Sequence, residues 1–152
     1  MCCCLNLSLK LLTPRMIFFC RHSNHVKDKN GQTSNPYPEV TSILKELKNK
    51  GFILGVASRT SEIKGAKILI QTLGWNEYFS YQEIYPGCKV THFESLSRNS
   101  KVELQDMLFF DDERRNIRDL TSHGVVSIFV KSGVNTETIH TGLKQFAKQR
   151  SN

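Results

Sequence analysis

Two acidic side chains stand together at the end of an apolar run: residues 107–110 lead directly into Asp111-Asp112, in the string LFFDDERRN. Paired carboxylates where a buried strand emerges suit a hard cation. Magnesium takes oxygen ligands, commonly one or two carboxylates completed by water and phosphate. The same acids would equally serve as the acidic first turn of a helix beginning near Glu113. Ser58 and Arg59 hold the corresponding place after the apolar run 52–57, in VASRTSE. A hydroxyl, a guanidinium and the free amides of the next helix's first turn would form a phosphate cradle. The plainer alternative is a helix cap at Ser58 or Thr60, with Arg59 in solvent. Lys89 follows the turn Pro86-Gly87 in YPGCKVTHF. An ammonium there would neutralise a phosphoryl group, although a single lysine is ordinarily a surface residue.

Other chemistries find no pattern. His22, His25, His92, His123 and His140 lack metal-ligand spacing. Cys88 has no base beside it in the sequence, which argues against a thiol enzyme. No G-x-S-x-G elbow, P-loop or dinucleotide-binding glycine pattern occurs.

The elements that would position these groups alternate. Asn30-Gly31 is a turn signal for a small hairpin. Pro38 marks a helix start, Val40, Ile43, Leu44 and Leu47 share one helical face, and Gly51 ends it. The run 52–57 reads as a buried strand. Ile63, Ala66, Ile70 and Leu73 make the next amphipathic helix, closed by Gly74. Residues 79–85 read as a strand, 91–99 as a helix and 107–110 as a compact buried strand. Ile117 and Leu120 mark a helix before Gly124, residues 125–130 a strand, and Ile139, Leu143, Phe146 and Ala147 the last helix. Such alternation predicts an α/β fold, a parallel sheet covered on both faces. Ligands of such sheets bind outside the carboxyl ends of the strands, where Ser58, Arg59, Lys89, Asp111 and Asp112 all fall.

A chain of 152 residues suits one domain with a sizeable core. The net charge of +7 comes from Lys and Arg scattered among acids, without a run of five like charges. That pattern describes a solvated basic surface, and no zinc-finger or RNA-binding aromatic motif accompanies it, so no nucleic-acid partner is expected. No apolar run reaches the roughly 18–20 residues needed to span a bilayer, so no membrane partner is expected either. Four of the five cysteines lie in residues 1–25, and that stretch contains no acid; the first is Asp28. With Cys88 alone in the remainder, a reducing, cytoplasmic setting is expected. Residues 1–25 read as an atypical segment from an alternative start, followed by a domain over 26–152. Cys2–Cys4 are candidate palmitoylation sites, but the chain lacks the myristoylation glycine that often accompanies them.

Together, VASRTSE, EIYPGCKVTHF and LFFDDERRN, with KDKNG, YPEV and GLKQFAK, resemble the haloacid dehalogenase superfamily, and within it the magnesium-dependent phosphatase family, over residues 26–150. The resemblance implies a Rossmann-like three-layer sandwich without a large cap. It implies Mg²⁺-dependent hydrolysis of phosphate monoesters, phosphotyrosine or phosphorylated sugars. Separately from the resemblance, a monomer is expected. By position, Ser58 and Arg59 would hold the phosphate, Lys89 would bridge phosphate and nucleophile as the remaining catalytic group, and Asp112 would ligate Mg²⁺ with Asp111 beside it.

One motif of the family is missing. Its first strand leads into Asp-x-Asp-x-Thr, where one Asp attacks phosphorus and the other works as acid and base. This sequence has no Asp-x-Asp. The run 16–19 exits into Cys20-Arg21-His22 instead, and Cys20 has neither a base nor an amide-rich loop to make it a nucleophile. Residues 16–20 are expected to fill the central strand's slot, and residues 1–15 to stand apart from the domain. For this chain the alternative to hydrolysis is an inactive isoform that binds phosphorylated ligands.

Overall fold

The computed structural model describes residues 2–5, 26–27, 33–34, 39–131 and 133–150. Its strands are β1 (Cys2–Leu5), β2 (Val26–Lys27), β3 (Thr33–Ser34), β4 (Ile53–Ser58), β5 (Phe79–Ile84), β6 (Met107–Asp111) and β7 (Val126–Phe129). The helices are α1 (Val40–Asn49), α2 (Ile63–Thr72), α3 (Lys89–Ser100), α4 (Arg114–Thr121) and α5 (Thr136–Arg150). Short 3₁₀ turns at Trp75–Glu77 and Leu104–Asp106 lead into β5 and β6.

Five strands form a parallel sheet in the order β5-β4-β1-β6-β7. All five residues of β6 are buried, as are five of the six in β4. Continuous apolar runs of this kind are what a sheet covered on both faces requires. Alternation then divides the core. Leu108 and Phe110 of β6 join Leu54 and Val56 of β4 against α1, α2 and α5. Met107 and Phe109 face the other way, with Ala57, against α3 and α4. The apolar stripe Val40, Ile43, Leu44 and Leu47 makes α1 a helix with one buried face. Trp75 is fully buried, and its indole N–H donates to Thr41 Oγ1 at 2.9 Å, satisfying a polar group the core would otherwise strand. β2 and β3 form a separate antiparallel pair, in keeping with the Asn30-Gly31 turn signal.

The central slot holds Cys2–Leu5, paired with β4 on one side and β6 on the other, Leu5 standing opposite Val56 and Phe110. This corrects two expectations. The strand that replaces the family's first strand is not the run 16–20, which lies outside the described residues. Nor does all of 1–15 stand apart, because Cys2–Leu5 closes the sheet that 26–152 leaves open. The backbone of a central strand must pair on both sides or bury bare N–H and C=O groups, and these four residues supply that pairing. From β1 the sheet grows outward through β4 and β5 on one side and through β6 and β7 on the other. Strand order therefore reverses at β1, and the crevice of such a sheet opens at its carboxyl end.

Where α5 crosses β6 and β7 the packing is close. A Cβ added at Gly142 would lie 2.6 Å from Phe110 Cζ and 3.2 Å from Ile128 Cγ1. Gly142→Ala is expected to destabilise the chain by about 1–3 kcal/mol through overpacking. A urea midpoint lowered at unchanged slope checks it; an unchanged midpoint would show that α5 is free to shift.

Candidate functional site

The site is organised by a lysine in an unusual place. Lys89 is the first residue of α3 and only 2% exposed. The start of a helix carries partial positive charge, so a cation there is unfavourable unless something else holds it. Three groups do. Its ammonium donates to the carbonyl oxygen of Ala57 in β4. It lies 5.6 Å from the centre of the Phe109 ring, and it acts electrostatically on Asp111. The sequence placed Lys89 in a loop ahead of a helix at 91–99. The helix instead begins at Lys89, after Cys88 in extended conformation.

Asp111 ends β6 and is 1% exposed. Its Oδ1 accepts the Glu113 N–H at 2.7 Å and its Oδ2 accepts the Asn116 side-chain amide at 2.8 Å. The helix-start reading of this acid is therefore met in part, since it bonds the N-terminal residues of α4. Burial pushes the Asp111 carboxyl above the ordinary aspartate range; Lys89 and these two donors pull it down, and the charge of Asp112 adds a smaller upward push. Asp112 itself is half-buried.

Arg59 reaches the same corner from the other side of β1. Its Nη1 donates to Asn116 Oδ1 at 3.2 Å and pairs with Glu113 Oε2 at 3.4 Å. Asn116, 3% exposed, thus joins Arg59 to Asp111 through its two amide ends. The Nε of Arg59 is buried and has no hydrogen-bond partner among the described residues, a donor that a bound acceptor would satisfy. Ser58, also buried, closes β4, and its carbonyl accepts the Tyr85 N–H at 3.1 Å. It does not cap α2. That helix starts at Ile63, where Thr60 Oγ1 accepts the Glu62 N–H at 3.0 Å. The expected cradle of α2 amides directly after Ser58 is accordingly displaced by residues 59–62.

The structure brings Lys89, Asp111 and Arg59 into one connected corner, with Ser58 at its β4 edge and Asp112 next to Asp111. Sequence reasoning missed Asn116, Glu113 and His92. Asn116 lies five residues after Asp111, a separation that one helical turn brings together, but its bonds to Arg59 leave no local pattern. A metal would find hard oxygen donors here. Among the described residues no group of three or more His, Cys, Asp or Glu is placed to hold an ion. Asp111 and Asp112 alone fit magnesium, which keeps water and substrate oxygens in its shell, better than an ion that needs a closed protein cage. No helix among the described residues is long and apolar enough to cross a membrane.

Solved structures show the same fold. The Mg-complexed phosphatase-containing N-terminal part of the Bacteroides fragilis protein BF1531 superposes with a TM-score of 0.66 at 18% identity, covering 92% of this chain and 39% of that one. A predicted phosphoglycolate phosphatase from Haemophilus somnus gives 0.59 at 23% identity, covering 66% of this chain and 47% of that one. The class is therefore the haloacid-dehalogenase-like α/β fold, and the chain spans less than half the length of either solved chain. Its relatives narrow this. The family model described as Acid Phosphatase matches residues 13–149. Human magnesium-dependent phosphatase 1 is 45% identical over 126 residues, 83% of this chain and 72% of that protein. A HAD-like hydrolase superfamily protein of Schizosaccharomyces pombe is 36% identical over 107 residues, 64% of this chain and 62% of that protein. The chain belongs to the magnesium-dependent phosphatase family of the haloacid dehalogenase superfamily. The family match begins after Cys2–Leu5 and takes in the run 16–20, whereas the strand ladders put Cys2–Leu5 in the central slot.

An acid whose folded-state pKa is raised binds its proton more tightly folded than unfolded, so its contribution to stability falls as pH rises between the two values. Relative to Asp111→Asn, the metal-free chain is expected to lose stability as pH rises upward from the ordinary aspartate range. Urea midpoints of both chains in chelator test this. A difference that grows in the opposite direction would mean that Lys89 and the amide donors outweigh burial.

Proposed function

We propose that the carboxyl end of the sheet binds the phosphoryl group of a phosphate monoester together with Mg²⁺, the substrate class being phosphotyrosine or a phosphorylated sugar. The observation that carries this reading is the buried Lys89 set against Asp111, with Arg59 linked to the same carboxylate through Asn116. In it Ser58 and Arg59 hold phosphate oxygens, Lys89 neutralises the phosphoryl group, and Asp112 and Asp111 hold the cation. Magnesium, when bound, polarises a phosphoryl oxygen and offsets its charge. The name of the human relative supports the metal and the activity class. The free, exposed Cys88 fits a reducing, cytoplasmic setting, and the chain is read as a monomer.

A second reading has its own observation. Residues 1–27 contain no carboxylate side chain, so no aspartate follows β1 as the family's nucleophile does. The chain then binds phosphate monoesters without covalent turnover. β1 is followed in sequence by Asn6-Leu7-Ser8-Leu9-Lys10, which has amide, hydroxyl and ammonium where Asp-x-Asp-x-Thr would have carboxylate, carboxylate and hydroxyl.

The unaltered chain is expected to bind inorganic phosphate in the presence of Mg²⁺, with Lys89→Met weakening binding about tenfold or more, the usual scale for a lost charge-assisted hydrogen bond. Titration calorimetry reads this, and equal affinity in both chains would remove Lys89 from the site. The unaltered chain is expected to show no release of phosphate from an aryl phosphate. Asn6→Asp, Ser8→Asp and Lys10→Thr together should create Mg²⁺-dependent release, lost again on adding Asp112→Asn. The same motif placed within residues 16–22 should not. Turnover by the unaltered chain that survives Asp112→Asn would overturn the site assignment.

A further inference from the structure

His92 lies in this corner and has no part in the reading above. Its side chain is wholly buried on α3, one turn beyond Lys89. Ring Nδ1 lies 2.7 Å from the carbonyl oxygen of Cys88. Ring Nε2 lies 2.9 Å from the carbonyl oxygen of Tyr85 and 3.1 Å from that of Ser58. All three partners are acceptors with no proton to give. With its proton on Nε2, the ring donates to the Tyr85 and Ser58 carbonyls together, so one N–H bridges two elements. The Tyr85 ring stacks on the imidazole at a centroid distance of 4.1 Å and an angle of 10°, which holds the plane of the ring. The nearby titratable groups are the Tyr85 phenol, the Cys88 thiol and the Lys89 ammonium, and no carboxylate is among the ring's hydrogen-bond partners within the described residues.

We propose that His92 is the positioning residue that clamps the end of β4, at Ser58, to the segment from Tyr85 to Cys88 that delivers Lys89. One buried ring ties the two elements supplying the phosphate-binding side chains. The clamp follows from the hydrogen-bond geometry alone; its effect on phosphate rests on the proposed function.

The ring is read directly by long-range ¹H–¹⁵N correlation on the labelled full chain at neutral pH. The Nε2–H of His92 is expected to be observed and slow to exchange with solvent; a bare Nε2 overturns the clamp. Titration with inorganic phosphate tests the clamp. His92→Gln keeps an N–H toward Ser58 and Tyr85 and should weaken phosphate about threefold, whereas His92→Phe should weaken it about tenfold or more. Equal affinity in the unaltered chain and both variants refutes the positioning role. If His92→Phe does not fold, the ring signals and His92→Gln still decide. If the unaltered chain binds no phosphate, the phosphate-site reading fails, and the ring signals judge the clamp independently.

Discussion

A lysine ammonium buried at the positive end of a helix must be neutralised by what surrounds it, and the carboxyl end of this sheet is arranged around that need. Moving such a charge out of water costs several kcal/mol unless hydrogen bonds and an opposite charge replace the solvent. The Ala57 carbonyl, the face of Phe109 and the Asp111 carboxylate replace it. Asp111 has the mirror-image problem, being itself buried, and each group is tolerable because the other is present. A phosphate dianion entering beside them would complete the neutralisation that Asp111 begins.

Much of the architecture could be read from the sequence because parallel sheets advertise themselves. β4 and β6 are unbroken apolar runs, and α1 shows its buried stripe in full. The start of α3 was misplaced because Lys89-Val90-Thr91 breaks the helical stripe and β-branched residues favour helices weakly. The motifs were found where an apolar run ends in a polar cluster. Their organisers were not: His92 bonds backbone carbonyls, and Asn116 bonds residues on two different elements. Backbone partners have no residue type to recognise, and contacts across more than fifty residues have no spacing. The longest apolar run near the start, 16–20, draws the eye as the central strand, but a buried ladder needs only a few residues of backbone in the right register, and Cys2–Leu5 provides them.

That substitution separates two requirements which the family's first strand normally meets together. One is mechanical, filling the middle of the sheet; the other is chemical, ending in carboxylates. Here the first is met by a segment whose sequence does not meet the second. The groups proposed to recognise phosphate come from β4, α3 and β6 and the turns after them, and none of them lies in the segment that follows β1.

The path from Arg59 through Asn116 to Asp111 joins the two halves of the proposed site through one side chain. Anything that draws the guanidinium toward itself changes the amide that Asp111 accepts, and anything that binds Asp111 changes the amide available to Arg59. Linkage requires the effect to be mutual: the factor by which an anion at Arg59 alters cation affinity at Asp111 equals the factor by which the cation alters anion affinity. In the proposed site, a single buried asparagine is the group through which an anion on one side and a cation on the other would feel each other.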